Sequence, residues 1–177
     1  MHSKVINKNI LYFFDLFILA LCIALDRISK IFVIKRLKDH AAVSAINGIL
    51  ELRYTENEGA AFSVLKGQTS FFILVFVVVL ITCGYFIVKS PGRSKYVISH
   101  VFISMIIGGA IGNITDRLIY SAVIDFVYFI FIDFPVFNVA DIFSTIGTLG
   151  LIIALIFYYK EDDLNFLRFK EKKIREI

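Results

Sequence analysis

The chain has 177 residues, of which 58% are hydrophobic, and its mean hydropathy is +0.80. Soluble domains of this size are closer to half apolar, so the composition predicts a single polytopic membrane domain over residues 1–177. The formal net charge is only +4 and lies largely in the C-terminal tail. This balance argues against nucleic-acid binding and fits a protein with basic, cytoplasmic termini.

The cysteines and histidines give no sign of a disulfide framework, a metal site or another cofactor. Cys22 and Cys83 both lie inside apolar runs, which is typical of buried, inert thiols. His2, His40 and His100 are scattered without the spacing of metal ligands. We therefore expect neither a metal nor a cofactor.

The first apolar run predicts a transmembrane helix over residues 10–34. A basic start followed by an apolar centre also occurs in signal peptides, but no small-residue cleavage site follows this run. The charged segment Asp26–Lys30 falls near the outer end of the predicted helix. Residues 35–68 form the first extracytoplasmic loop, where alternation after Asn47-Gly48 predicts a small strand or hairpin.

Three more spans follow, at residues 71–88, 96–116 and 138–159. The turn at residues 89–95 contains Pro-Gly and three basic residues, so it is expected in the cytoplasm. Residues 117–137 form the second extracytoplasmic loop. The basic residues in loop 35–68 argue against this orientation, because basic segments favour the cytoplasm. The basic C-terminal tail decides in its favour.

Asp26 and Lys30 are four residues apart and therefore share one face of the first helix. A structural interpretation is an interfacial ion pair whose lysine reaches the lipid head groups. A functional one is a polar contact for a substrate at the membrane surface. Ser29 with Lys30 is an alternative catalytic pair, but adjacent helical residues point in different directions.

The stretch from Gly108 to Arg117 carries polar residues at the end of an apolar span. Gly108 and Gly112 form a Gly-x-x-x-Gly pattern, which allows a neighbouring helix to approach closely. Asn113, Asp116 and Arg117 are expected to project to about the same side. Charged groups at such depth are candidates for function.

Three further acids follow this stretch. Asn138 and Asp141 have the spacing of a helix N-cap with an acid at the third helical position. Asp125 could be an ordinary loop acid, and Asp133 is expected to be a solvated one. Two carboxylates brought together at the outer membrane surface could instead share a proton and perform acid–base peptide hydrolysis.

Five motifs in order resemble the lipoprotein signal peptidases (signal peptidase II), a family of four-helix membrane aspartyl proteases. They cover nearly the whole chain: Asp26-Arg27-Ile28-Ser29-Lys30, Asn57-Glu58-Gly59-Ala60-Ala61-Phe62, Gly108 to Arg117, Val123-Ile124-Asp125-Phe126 and Phe137-Asn138-Val139-Ala140-Asp141. Arg27 and Ile142 depart mildly from the family pattern. Arg27 leaves the fine substrate preference open.

The resemblance implies a mainly α, integral-membrane fold with four transmembrane helices and a small extracytoplasmic β-strand cradle. It implies cleavage of diacylglyceryl-modified bacterial prolipoproteins on the N-terminal side of the lipidated cysteine, by the catalytic pair Asp125 and Asp141. The implied supporting or orienting residues are Asn113, Asp116, Arg117 and Asn138, and the implied pocket-lining residues are Asp26, Lys30, Asn57 and Gly59.

The expected partners are these prolipoproteins and membrane lipids, and the protein is expected to be monomeric. The expected location is the bacterial cytoplasmic membrane, with both termini inside and the active site near the outer surface. Two other hypotheses use the same acids. One is a small proton- or ion-coupled transporter, which should show an internal repeat or acids near both membrane faces, whereas here they cluster at one end. The other is a non-catalytic assembly protein held by its glycines.

Overall fold

The computed structural model of the chain describes residues 4–59 and 67–167. Residues 60–62 of the Asn57–Phe62 motif and the last ten residues of the basic tail lie outside the described part. The described chain is mainly helical. Its four long helices are α1 (Lys8–Leu37), α2 (Thr69–Lys89), α3 (Val97–Tyr120) and α4 (Val139–Ile153), and α4 continues through a π-helical turn, Ala154–Tyr158.

Three helical segments of the described chain are long and apolar enough to cross a membrane: Thr69–Lys89, Ser94–Tyr120 and Val139–Tyr158. The remaining long helix, α1, has 30 residues. At 1.5 Å per residue its length is about 45 Å, more than the thickness of a bilayer core. The helices therefore form a membrane-integral bundle, as the composition predicts.

The distribution of side chains is the reverse of that in a soluble protein. On α1, Phe13 and Phe17 are largely exposed, whereas Asp15, Asp26 and Lys30 are buried between the helices. In water, so much exposed apolar surface would favour aggregation, but in a bilayer it faces lipid tails. The buried charges are satisfied by one another and by neighbouring polar groups, as described below.

Helix α3 lies at the centre of the bundle and contacts α1, α2 and α4. Its glycines set the close approach of two neighbours. A Cβ atom on Gly108 would lie 2.7 Å from the Cβ of Cys22, and one on Gly112 would lie 2.5 Å from Asp26 Oδ2, both on α1. A Cβ on Gly109 would overlap the Ser144 hydroxyl and the Ala140 carbonyl of α4. The packing role predicted for the Gly-x-x-x-Gly pattern is therefore confirmed.

A three-stranded antiparallel sheet packs against one end of α1. Its strands are β1 (Val43–Ile46), β2 (Leu50–Asn57) and β3 (Val123–Phe129), in the order β1-β2-β3. The hairpin predicted around Asn47-Gly48 is present, and Gly48 has a positive φ of 72°. Phe126 of β3 joins Val33 and Leu37 of α1 in an apolar cluster that holds the sheet on the helix.

Two expectations for residues 117–137 are wrong. Helix α3 does not end at residue 116 but continues to Tyr120, where Ser121 closes it in a left-handed conformation. The following segment contains the strand β3 rather than loop alone. Its apolar run is short, and such runs fit either a buried strand or a helical segment by periodicity alone. Pairing with β2, which is distant in sequence, decides the outcome.

Candidate active site

A cavity of about 710 Å³ opens where the sheet meets the ends of α3 and α4. Its wall is mainly apolar, with a small set of converging polar side chains. Such a combination is typical of a ligand site. The polar lining residues that the sequence singles out are Asn57, Asn113, Arg117, Asp125 and Asp141, with Gly59 beside them.

Asp125 lies on β3, and only 3% of its surface is exposed. Its Oδ1 accepts a hydrogen bond from Asn138 Nδ2 at 2.6 Å, and its Oδ2 accepts one from Asn57 Nδ2 at 2.9 Å. Burial, and secondarily the charge of Asp141, raise the pKa of Asp125 to about 7, against the opposing effect of these two amide donors. A carboxyl group with this pKa can hold a proton at neutral pH.

Asp141 lies at the third position of α4 and belongs to a capping box. Its Oδ2 accepts from the backbone N–H of Asn138 at 3.1 Å, and the Asn138 side chain accepts from the Asp141 N–H at 3.0 Å. The other oxygen, Oδ1, accepts from Asn113 Nδ2 at 2.7 Å. The predicted N-cap is therefore confirmed, and the same bonds fix the orientation of the carboxylate that faces the cavity.

Asn138 links the two carboxylates. It is fully buried, and its amide nitrogen donates both to Asp125 Oδ1 and to Asn113 Oδ1, the latter at 3.1 Å. Its amide oxygen is used by the α4 cap. One side chain thus holds Asp125 while it starts the helix that carries Asp141.

Lys30 fixes which end of the Asn113 amide faces Asp141. The Lys30 ammonium donates to Asn113 Oδ1 at 3.1 Å. An ammonium group has no acceptor, so this contact requires an oxygen there. The Asn113 NH₂ group is consequently directed to Asp141, where it donates to the carboxylate.

Beneath the cavity, a buried ion-pair network connects α1 to both candidate catalytic residues. Lys30 Nζ lies 2.9 Å from Asp26 Oδ2 and 2.7 Å from Asp116 Oδ2. Asp26 Oδ1 accepts from the N–H of Ala140 at 3.0 Å, and Asp116 Oδ2 accepts from the N–H of Ile124 at 3.3 Å. Each acid therefore accepts from the backbone N–H of the residue that precedes Asp141 or Asp125.

The fourth member of this network is Arg27, whose Nη1 lies 2.9 Å from Asp116 Oδ1. The two acids and two bases balance in formal charge. Such balance, together with hydrogen bonds to the remaining oxygens, is what makes buried charges tolerable. Arg27, which departs from the family pattern, is therefore ion-paired with Asp116 in this chain.

Arg117 attaches the end of β2 to α3. Its Nη2 donates to the carbonyl oxygen of Gly59 at 3.0 Å, and its guanidinium lies 4.1 Å from the ring centre of Phe72. The Gly59 N–H in turn donates to Asn57 Oδ1 at 3.0 Å, which directs the Asn57 NH₂ group to Asp125. Both predicted loop residues thus contribute to orienting the Asp125 carboxylate.

The sequence-based expectations for three charged residues need correction. Asp26 and Lys30 were expected to line the pocket, but both are completely buried and lie below it. The two residues do form an ion pair, but the pair is buried inside the bundle and the Lys30 ammonium does not reach the lipid head groups. Asp116 contacts the same Lys30 ammonium as Asn113, so these two share a side as expected, but Asp116 does not line the cavity as Asn113 and Arg117 do. Partners on α1 draw Asp116 into the bundle.

Other lining residues were not singled out from the sequence. Apolar members such as Phe72 and Ile146 cannot be distinguished from ordinary lipid-facing residues in an apolar helix. Asp133 is exposed, as predicted, but it also lines the cavity and accepts a hydrogen bond from Tyr128 at 2.5 Å. In residues 4–59 and 67–167, no group of three or more His, Cys, Asp or Glu side chains is placed to hold a metal ion.

Chemically, the site presents two carboxylates in one partly open cavity, with a raised pKa on one of them. Amide donors orient both groups, and each carboxylate is tied to a separate element of the fold. A pair of this kind can keep one proton and one negative charge at neutral pH. It can then act as acid and base toward one bound substrate.

The family model described as signal peptidase (SPase) II matches residues 18–157. A lipoprotein signal peptidase of Clostridium tetani is 37% identical over 151 residues, covering 84% of this chain and 94% of that protein. One of Streptococcus pyogenes serotype M3 is 38% identical over 145 residues, covering 82% and 92%.

Solved structures agree with these similarities. A bacterial membrane enzyme determined by the in meso method at 2.3 Å resolution has a TM-score of 0.73 and 29% identity, covering 98% of this chain and 99% of that one. A second, at 1.9 Å resolution, has a TM-score of 0.74 and 30% identity, covering 90% and 99%. The chain therefore belongs to the signal peptidase II family and is a membrane-integral peptidase.

Proposed function

We propose that this protein is an aspartic endopeptidase that removes the signal peptide from diacylglyceryl-modified prolipoproteins, cutting on the N-terminal side of the lipidated cysteine. The observation that carries the proposal is the placement of Asp125 and Asp141 in one cavity, held together by Asn138. Membership of a peptidase family argues against the two other hypotheses, a proton- or ion-coupled transporter and a non-catalytic assembly protein.

The reaction follows from one proton shared by the two carboxylates. The ionised carboxylate takes a proton from water while the water oxygen bonds to the scissile carbonyl carbon. The protonated carboxyl group gives its proton to the carbonyl oxygen, which forms a tetrahedral diol. When the C–N bond breaks, one carboxyl group protonates the leaving amine and the other carboxylate takes a proton from the diol. The pair then holds a single proton again.

Asp125 is better suited to hold that proton at rest. Burial is the main cause of its raised pKa. Asp141 is partly exposed in the first turn of α4 and accepts two hydrogen bonds. The proposed resting state therefore has the proton on Asp125.

The apolar part of the cavity suits a substrate that remains in the membrane. Phe72 of α2 and Ile142 and Ile146 of α4 lie beside the polar groups and provide an apolar wall. Acyl chains and an apolar signal helix can occupy such a surface without leaving the lipid phase. We place the site near the extracytoplasmic surface, both termini in the cytoplasm and the protein in the bacterial cell membrane. We further propose a monomer of one domain.

The test uses protein purified in detergent, a diacylglyceryl-modified prolipoprotein and the same prolipoprotein without the lipid. We expect cleavage of the modified form only, with a product mass that begins at the lipidated cysteine. Asp125→Asn and Asp141→Asn should each abolish cleavage while keeping the fold. Asp39→Asn is the matched control, because Asp39 is exposed and does not line the cavity.

Equal cleavage of both substrates would contradict the substrate assignment. Retained activity in both cavity variants would contradict the dyad. Loss of folding in either would instead indicate that these acids are structural.

A further inference from the structure

A second cavity, of about 250 Å³, adjoins the first at Asp125. The two share Asn57, Asp125 and the segment Asp133–Val136, so the Asp125 side chain borders both. From this junction the first cavity extends toward α3 and α4. The second extends along the sheet.

The two cavities differ in chemistry. The residues that line only the second are all polar: Arg53, Thr55, Glu56 and Tyr128. The first is bordered by apolar side chains of α2 and α4. A substrate that crosses Asp125 would therefore pass from a mainly apolar cavity to a more polar one.

Irregular strand pairing lies beside the polar cavity: β3 bulges opposite Phe137, and β2 carries one extra residue opposite β3. The backbone N–H groups of Phe126 and Val127 both donate to the carbonyl oxygen of Phe137, at 3.0 and 2.8 Å. The β2–β3 register also shifts between Leu52 and Thr55. Regular alternation would put Asp125 and Tyr128 on opposite faces, since they are three residues apart. Instead Phe126 and Val127 both pack toward α1, and Tyr128 lines the same cavity as Asp125.

Arg53 brings a charged hydrogen-bond donor group to this cavity. Its guanidinium carbon lies 3.5 Å from the ring centre of Tyr128, and Tyr128 in turn donates to Asp133. The Arg53 Nε is buried and has no hydrogen-bond partner among the described residues. Because the side chain lines the cavity, a ligand there that supplies a carbonyl oxygen can accept a hydrogen bond from the guanidinium.

We propose that this second cavity binds the polypeptide that follows the scissile bond, with Arg53 donating to a main-chain carbonyl of that segment. The inference rests on the proposed peptidase function and adds a substrate-binding residue to it. The neighbouring Glu56 and Asp133 disfavour a carboxylate as the group that satisfies Arg53. An uncharged peptide carbonyl, which every sequence provides, meets the need without repulsion.

The experiment compares two diacylglyceryl-modified substrates, one ending at the lipidated cysteine as an amide and one continuing for several residues. With the unaltered enzyme, the longer substrate should have a KM about tenfold lower, as expected for a hydrogen bond from a charged group. With Arg53→Ala this advantage should disappear, while kcat on the short substrate stays unchanged. Arg53→Gln keeps an amide donor and should restore part of the advantage.

Lys38→Ala is the matched control, because it removes a positive charge beside Glu56 without changing the cavity wall. It should leave the advantage of the longer substrate intact. An equal advantage in the unaltered enzyme and in both Arg53 variants would overturn the proposal, as would no advantage in the unaltered enzyme. Failure of the proposed function is distinguishable, since neither substrate would then be cleaved.

Discussion

Within residues 4–59 and 67–167, α3 contributes to a polar cluster near each of its ends, and only one of these two has the properties of an active site. The first contains Asp125, Asp141 and their amide partners at the sheet end of the bundle. The second contains Asp15, His100 and Ser90 near the start of α3. Because Asn113 and His100 are thirteen residues apart on α3, the clusters are separated by about 20 Å along the helix.

The second cluster has the order of a catalytic triad. Ser90 Oγ lies 2.7 Å from His100 Nε2, and His100 Nδ1 lies 2.8 Å from Asp15 Oδ2. Serine hydrolases use the same sequence of contacts. However, His100 is completely buried, Ser90 also bonds the Ile87 carbonyl, and neither cavity described above includes these residues.

The comparison shows that a chain of hydrogen bonds of the kind found in catalytic triads is not sufficient for catalysis. The Asp15 cluster joins α1, α3 and the end of α2, and its bonding capacity is used within the bundle. Asp125, in contrast, borders two cavities and has its pKa raised to about 7. Access and a transferable proton distinguish the two clusters.

The largest expected effect comes from making the same exchange in each cluster. Asp125→Asn should lower the rate of prolipoprotein cleavage by about a thousandfold or more, as expected for removal of a general acid. Asp15→Asn should retain most of the activity per folded molecule and lose about 1–3 kcal/mol of stability, because His100 loses its charged partner. Cleavage assays and thermal unfolding in detergent measure both. A comparable loss of activity in Asp15→Asn would remove the distinction between the clusters.

The next largest effect is expected at Lys30. Lys30→Met should destabilise the protein by about 3–5 kcal/mol, because Asp26 and Asp116 lose a shared buried cation. Activity should fall as well, since the Asn113 amide is no longer held in one orientation. Lys35→Met, at an exposed position of the same helix, is the control and should unfold at the temperature of the unaltered protein. Equal unfolding temperatures for all three proteins would contradict a structural role of the network.

A smaller effect is expected at Asn138, where structural and catalytic roles coincide. Asn138→Ala removes the α4 cap and the link to Asp125, so stability should fall by about 1 kcal/mol and activity by about ten- to a hundredfold. Asn7→Ala removes the cap of α1, which lies outside the site, and should lower stability similarly while sparing activity. Equal activities of the two variants would show that Asn138 contributes only its cap.

The remaining test changes pH instead of a contact. The folded-state pKa of Asp125, about 7, lies above the ordinary value for an aspartate, so the folded protein binds more protons over the interval between them. This contribution to stability is complete below about pH 4 and is lost as pH rises to about 7, at about 1.4 kcal/mol per pH unit. Asp125→Asn removes this contribution to the dependence of stability on pH. Its unfolding temperature should therefore rise relative to the unaltered protein between pH 5 and pH 8.

Activity of the unaltered enzyme should fall over the upper part of the same range, because Asp125 loses the proton that the dyad requires. A kcat that is constant from pH 6 to pH 9 would contradict that role. It would leave the stability measurement as a separate test of the Asp125 environment.

Local signals in the sequence predicted the elements that depend on a few neighbouring residues. The Asn47-Gly48 turn and the spacing of Asn138 and Asp141 were both interpreted correctly, since turns and caps are formed by adjacent residues. The close approach at Gly108 and Gly112 also followed from a short pattern.

Features that depend on distant partners were missed. Strand β3 forms because β2, about 70 residues earlier, offers an edge for pairing. The burial of Asp26 and Lys30 depends on Asp116 of α3, and the bond between Asp15 and His100 crosses 85 positions of sequence. No local periodicity encodes these contacts. Asp26 and Lys30 were therefore expected, from the family resemblance, to line the pocket, whereas they lie beneath it.

The network beneath the site has a consequence for how the helices can move. Asp26 accepts from the backbone N–H of the residue before Asp141, Asp116 accepts from that of the residue before Asp125, and Lys30 is ion-paired with both acids. A displacement of α1 therefore acts on the backbone beside both carboxylates at once, so the geometry of the dyad is coupled to the position of the first helix.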